Sequence, residues 1–292
     1  MLNLIAASII WAFSFGLIKH KLAVVGMDPL FIAFARLALS ALAFLPFVPF
    51  ARIPRRLLHQ CLLLGAIQYG MMYAAYQFSF QFLAAHEVAL FTISTPVFVA
   101  LIDDVFCRRF RPRFLLTAVL AVCGAGVVVT GHADTAARLT GVLLVQVANA
   151  CFAFGQVAYR RIMAAENARA GATSLTDLDV FGLLFLGGML FAEAPALLRV
   201  DPEMLLLGPA QIWTLLYLGL VPAGVCFFLW NAGARRTNTG MLAVMNNAKV
   251  PLGILASILC FGESANLTRL SIGAAILVVA VLLNRSPAAT PG

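Results

Sequence analysis

The sequence predicts an all-α integral membrane protein, with ten transmembrane helices arranged as two inverted five-helix repeats. Three observations lead there. Apolar residues are 62% of the 292-residue chain and charged residues 11%, whereas a soluble domain carries about 25% charged residues. Too few charges are present to cover a water-facing surface, and the mean hydropathy is +0.97. The apolar residues also gather in continuous runs close to the ~20 residues that cross a bilayer as helix. Finally, the second half of the chain repeats the first.

The runs are placed in order. The first five lie near 2–19, 29–49, 57–81, 87–103 and 113–131. The second five lie near 139–159, 178–198, 211–232, 239–261 and 268–284. Because they are continuous rather than alternating, they read as helices and not as barrel strands. The third and fourth are parted only by Phe82 to His86. The chain divides into a first repeat at 1–135, a second at 136–285, and a disordered C-terminal tail at 286–292 rich in Pro and Ala. Met1, Leu2 and Asn3 offer no basic region ahead of the first run, so that run is expected to be a span and not a cleaved leader.

Lys and Arg set the orientation. Of the 20, 13 fall in loops that are cytoplasmic if the N-terminus is inside, among them Arg52, Arg108, Arg160 and Arg235, and five fall in the opposite loops. The remaining two, Arg36 and Lys249, fall inside spans. The split puts both termini in the cytoplasm of a multi-pass protein in a bacterial inner membrane. A net charge of +8 therefore reports topology, with no nucleic acid as partner. The six cysteines form no CxxC pair and read as small apolar residues, not as disulfides or metal ligands.

Internal similarity appears at two offsets. IIWAFSFGLIKHK (9–21) lines up with ACFAFGQVAYRRI (150–162), and the stretch 63–91 lines up with 217–245. Gly65 meets Gly219, Gly70 meets Gly224 and Ala89 meets Ala243. Each half has an odd number of runs, so the halves must insert in opposite senses. Inverted repeats are the mark of alternating-access transporters, whose substrate site lies near the midplane between the halves.

These residues carry a resemblance. WAFSFGLIK, Arg36 and ALFTISTPVFVALIDD in the first half, with NACFAFGQVAYRR, RRTNTGMLAVMNNAKVPLGILASILCFGE and IGAAILVVAVLL in the second, are similar to EamA-type members of the drug/metabolite transporter superfamily. The P-x(11)-E spacing runs from Pro251 to Glu263, while the first half shifts its acids to Asp103 and Asp104. The resemblance implies a ten-helix bundle and transport, often efflux, of amino acids, carboxylates or amines.

Ionisable groups in lipid are functional candidates by default. Lys249 sits near the middle of the ninth run and shares a helix face with Asn246 and Gly253. Pro251 is expected to loosen that helix and free carbonyls for a ligand. The repeat offset carries Asn246 and Lys249 onto Thr92 and Thr95. The same test relates Tyr76 and Gln77 to Trp230 and Asn231, and relates the first run, with Trp11, to a polar stripe of Asn149 and Gln156 on the sixth. Tyr73 joins Tyr76 on an aromatic face. Together they describe a cavity with one fixed positive charge, amides and hydroxyls, and aromatic walls, suited to a small amphipathic anion. Packing or an interfacial belt is the simpler reading of each aromatic taken singly.

Arg36, His86 and Glu87 are candidates for coupling or gating, and protons are the candidate coupling ion. Arg36 serves equally well as a structural ion-pair partner. Glu193 reads as interfacial, and Asp103 and Asp104 as a salt-bridge lock against Arg108 to Arg113. No P-loop, HExxH or GxSxG occurs, and the loops are too short for a separate catalytic site. The expected function is secondary transport of a small organic molecule, most simply export, without cofactor or metal. The alternatives are a channel or membrane scaffold, and an integral membrane enzyme.

Overall fold

Helix is the only regular structure among the described residues, which in the computed structural model are 2–108, 123–124, 127–128, 134–170, 175–197, 207–235 and 239–283. The first half contributes α1 (Leu2–Leu17), α2 (Pro29–Phe44), α3 (Arg55–Gly65), α4 (Met72–Phe82), α5 (Ala85–Phe91) and α6 (Thr95–Phe106). The second contributes α7 (Thr135–Ala170), α8 (Asp177–Leu197), α9 (Pro209–Leu218), α10 (Cys226–Arg235), α11 (Thr239–Leu259) and α12 (Leu267–Leu283). Among the described residues, five stretches are long and apolar enough to cross a membrane: Asn3–Ala23, Pro29–Phe47, Ala85–Phe106, Thr135–Arg169 and Pro209–Arg235. The predicted fifth run, 113–131, lies almost wholly outside the described residues, as does the 286–292 tail.

Local chemistry sets the boundaries. α2 starts where Asp28 Oδ1 accepts from the N–H groups of Leu30 and Phe31, at 2.8 and 3.0 Å, with Pro29 in the first turn. α7 outruns its predicted 139–159 because the polar stretch beyond it, RRIMAAENARA, is rich in strong helix formers.

Three long rods are interrupted. π-turns Ala66–Met71 and Gly219–Val225 join α3 to α4 and α9 to α10. A 3-10 turn, Thr92–Ser94, joins α5 to α6. The loosening expected at Pro251 is not observed: α11 runs unbroken through it. A proline interrupts pairing instead at Pro222, inside the second π-turn.

Packing couples the halves throughout. α2 lies along α8, α4 along α7, and α1 along both α10 and α11. α5 meets α11, and α6 meets α7. The α3–α8 crossing is close: a Cβ built on Gly65 would lie 2.0 Å from the Leu184 carbonyl oxygen, and one on Gly187 2.1 Å from that of Leu62. Small residues allow such backbone approach in membrane bundles. The outer surface carries exposed large apolar side chains, among them Leu42, Leu63, Trp213 and Leu259. Such a surface suits lipid and not water.

Candidate functional site

An open cavity of about 540 Å³ lies between the halves. α1 contributes Trp11, Ser14 and Phe15; α2 contributes Arg36; α4 contributes Met72, Tyr73 and Tyr76. Thr92 comes from the 3-10 turn, Ala148, Asn149 and Phe152 from α7, Phe227 from α10 and Lys249 from α11. Among the described residues, no acid lines the cavity.

Lys249 is buried, 7% exposed. Its Nζ lies 5.2 Å from the ring centres of both Trp11 and Phe152. Such cation–π contacts replace part of the lost hydration, but no hydrogen bond or ion pair to Lys249 occurs among the described residues. Trp11 is fixed from behind, its Nε1 donating to the Pro222 carbonyl at 2.8 Å. Trp230 packs tilted against Trp11 with centroids 5.1 Å apart and is not among the residues that line the cavity.

Arg36, 2% exposed, is the second cation. Its guanidinium sits 4.5 Å from the Tyr73 ring centre, with Nη2 donating to Tyr73 Oη at 3.3 Å and Nε to the Leu218 carbonyl at 3.4 Å. Nη1 is buried with no partner among the described residues. Pro222 has no N–H to offer the Leu218 carbonyl one turn earlier, and that oxygen turns to Arg36. Gly219, in the same π-turn, accepts from Ser40 Oγ at 2.8 Å. The broken rod thus supplies the carbonyls that position Arg36 and Trp11, a role the sequence had pointed to at Pro251.

The α5–α6 break works similarly. The Phe91 carbonyl accepts from Asn149 Nδ2 at 2.9 Å, and Thr95 Oγ1 donates to Asn149 Oδ1 at 3.2 Å and to the Thr92 carbonyl at 2.7 Å. Thr95 therefore braces Asn149 rather than lining the cavity. Asn231 Nδ2 donates to Tyr69 Oη at 2.8 Å, committed away from it. Gln77, Gln156 and Asn246 are buried with amide atoms that have no partner among the described residues, and none is among the residues that line the cavity.

His86 and Glu87 lie elsewhere, at the α4–α5 turn. Glu87 Oε1 pairs with Arg138 Nη1 at 2.6 Å, and its Oε2 accepts from Ala84 N–H at 2.9 Å. His86 meets Glu263, a residue not chosen from the sequence although it closes the P-x(11)-E spacing. Glu263 Oε2 accepts from His86 N–H at 2.9 Å and lies 2.7 Å from His86 Nδ1. Its Oε1 accepts from Ala85 N–H at 2.8 Å and lies 3.1 Å from His20 Nε2. Burial pushes this carboxyl up, but the bonds from the His86 ring and from the His86 and Ala85 N–H groups outweigh burial and hold it at about 2.

At the opposite end, Asp177 accepts from Tyr159 Oη at 2.6 Å and pairs with Arg235. Asp103 pairs with Arg161 of α7 at 2.9 Å; of the expected partners, Arg109, Arg111 and Arg113 lie outside the described residues. No cluster of metal-ligating side chains occurs among the described residues.

Comparison with known proteins shows which family the chain belongs to. A relative from Pseudomonas aeruginosa named probable biotin transporter is 39% identical over 289 residues, 98% of this chain and 97% of that one. The biotin transporters of Salmonella typhimurium and Escherichia coli K12 are 33% and 32% identical over 290 residues, covering 98% of this chain and 93% of theirs. A solved crystal structure matches with a TM-score of 0.63 at 18% identity, over 97% of this chain and 96% of that one, which speaks to fold alone. The model of the EamA-like transporter family matches residues 1–130 and again 139–286. A polytopic helical chain with a cationic cavity between two similar halves is therefore no enzyme: it is a membrane transporter and belongs to the EamA-like transporter family.

Proposed function

We propose that this protein carries biotin, or a small carboxylate built like it, across the bacterial inner membrane by alternating access. The observation that carries the reading is the pair of buried cations, Lys249 and Arg36, in one cavity whose lining, among the described residues, holds no acid. Two positive charges attract a carboxylate and repel an amine. Amines are therefore disfavoured despite the aromatic walls, since attraction or repulsion between full charges exceeds a cation–π contact of ~1–2 kcal/mol. Biotin offers a carboxylate, a ureido group that both donates and accepts hydrogen bonds, and an apolar ring and chain. Lys249 holds the carboxylate, Asn149, Thr92 and the unpartnered Arg36 Nη1 serve the ureido group, and Trp11, Tyr73, Tyr76 and Phe152 enclose the apolar part.

The reading of ten spans in two inverted repeats, 1–135 and 136–285, draws support from packing. The offset that pairs the third run with the eighth carries 66–71 onto 220–225, and both places are π-turns. Inter-half contacts also come in exchanged pairs. The third run packs on the sixth and the eighth on the first; the fourth packs on the sixth and the ninth on the first. A pseudo-two-fold relation produces such exchange. Both termini are placed in the cytoplasm by the Lys and Arg count, and protons remain the candidate coupling ion. Efflux rested on the resemblance alone, and the cavity residues favour neither direction.

The test is binding and flux of labelled biotin, by purified protein and in vesicles loaded on either side, with wild type beside Lys249→Met. Losing a hydrogen bond to a charged group removes about 1.5–3 kcal/mol, a roughly 10- to 150-fold weaker Kd. Equal biotin affinity in the two proteins would remove Lys249 from the site. Binding of an amine in preference to biotin by wild type would overturn the substrate class.

A further inference from the structure

Glu263 gathers donors from elements far apart in sequence. It sits in the turn after α11, where Gly262 has φ +67°, a conformation glycine adopts without a Cβ clash. Its four contacts come from His20, just beyond α1, and from Ala85 and His86 at the start of α5. His20 is held in place by Phe261, stacked with centroids 5.5 Å apart. The three helices joined here, α1, α5 with its 3-10 turn, and α11, are the ones that bring Trp11, Thr92 and Lys249 to the cavity. The cluster ties their ends together, first half to second. By the Lys and Arg count this is the outer end of the bundle.

We infer that His20, His86 and Glu263 form a proton-binding site that latches the outer end of the cavity shut when an imidazole is protonated and frees it when that proton leaves. The reading rests on transport by alternating access. A carboxylate only accepts, so each imidazole must present an N–H to it. A neutral ring has one N–H, which either nitrogen can carry; a protonated ring has both, plus a full charge. Protonation of a ring therefore tightens its contact with Glu263, and the other charged groups nearby lie as follows. Glu87 is paired with Arg138. Lys19 Nζ donates to the Phe80 carbonyl at 2.6 Å. Arg269 lines an adjoining pocket of about 410 Å³ together with His86, Glu87 and Arg138.

The test measures access to the cavity from outside. Ala148 lines the cavity, and Ala148→Cys is labelled in intact cells with a membrane-impermeant maleimide. Its rate is taken relative to that of the exposed Cys260, which removes the intrinsic pH dependence of thiol labelling. With the latch intact, the relative rate should rise by about fivefold or more between about pH 5.5 and about pH 8. In Glu263→Gln it should hold the high-pH value throughout. His20→Gln, at a side chain 31% exposed and so tolerant of change, should weaken the response if Glu263→Gln fails to fold. A flat profile with the latch intact, or an unchanged response in these variants, overturns the inference. Uptake of labelled biotin by the chain lacking the added cysteine separates the two readings. No biotin flux with a normal labelling response overturns the substrate and leaves the latch. Normal flux with a flat labelling profile does the reverse.

Discussion

At the scale of residues, the important groups are charged side chains largely shielded from solvent, one of them without a hydrogen-bond partner among the described residues and one held by several. Lys249 was legible from sequence because a lysine amid an apolar run is costly in lipid, although a structural ion pair or snorkelling along its stem is the alternative explanation. Glu263 was not, because a carboxylate after the end of a span looks like any solvated loop acid; only its four donors, from three residues, reveal it. Its protonation behaviour is a direct prediction. The folded-state value of about 2 lies below the ordinary 4.5. The stabilisation is therefore complete above 4.5 and is lost as pH falls through about 2. Thermal melts from about pH 5 to about pH 2 should show a steeper fall for wild type than for Glu263→Gln. Parallel curves would mean the contacts contribute nothing to stability.

Elements show how interruptions are used. The third, fourth and eighth runs read as uniform apolar stretches, and composition alone cannot say where a helix changes its pairing. Pro222 is the exception, since its missing N–H is written in the sequence, yet Pro251 carries the same signature in an unbroken helix. What differs is the surroundings: the π-turn carbonyls at Pro222 meet Ser40 and Trp11, with Leu218 turned to Arg36 just before it. Pro222→Ala restores a donor and should draw Leu218 back into the helix. Thermal stability should hold or rise, while affinity for the ligand proposed for the cavity falls by about fivefold for one neutral-strength hydrogen bond. Unchanged affinity would show that this carbonyl does not position Arg36. Gly65→Ala tests the α3–α8 crossing. The helix propensity gain is ~1 kcal/mol, but the new Cβ would lie 2.0 Å from the Leu184 oxygen. Overpacking costs typically 1–3 kcal/mol and more against backbone, so the melting temperature should drop.

For the whole molecule, the testable statement is topology. Arg108 follows α6 and Arg138 lies in the first turns of α7, which the ten-span reading puts on opposite sides. Cysteines at 108 and 138 should react with an impermeant thiol reagent from opposite faces of sealed vesicles. Labelling of both from one face would break the inverted arrangement, and with it the alternating-access reading.

Sequence by itself determined the solvent, the helical class and the presence of a repeat. Each is a property of local composition summed over twenty or more residues, and lipid leaves the backbone few other choices. It also marked Lys249, Trp11, Tyr73, Tyr76, Thr92 and Asn149, since polar and aromatic groups recur at matched positions. Tertiary structure decided which of the marked residues share a space. Thr95 and Asn231 spend their hydrogen bonds on Asn149 and Tyr69, and Trp230 lies behind Trp11, because packing direction around a helix is set by neighbours and not by spacing. It also brought Arg36 into the cavity and assembled the His20–Glu263–His86 cluster from helix ends far apart in the chain. Contacts of that kind have no signature along the chain: they exist only once the two halves have been folded against each other.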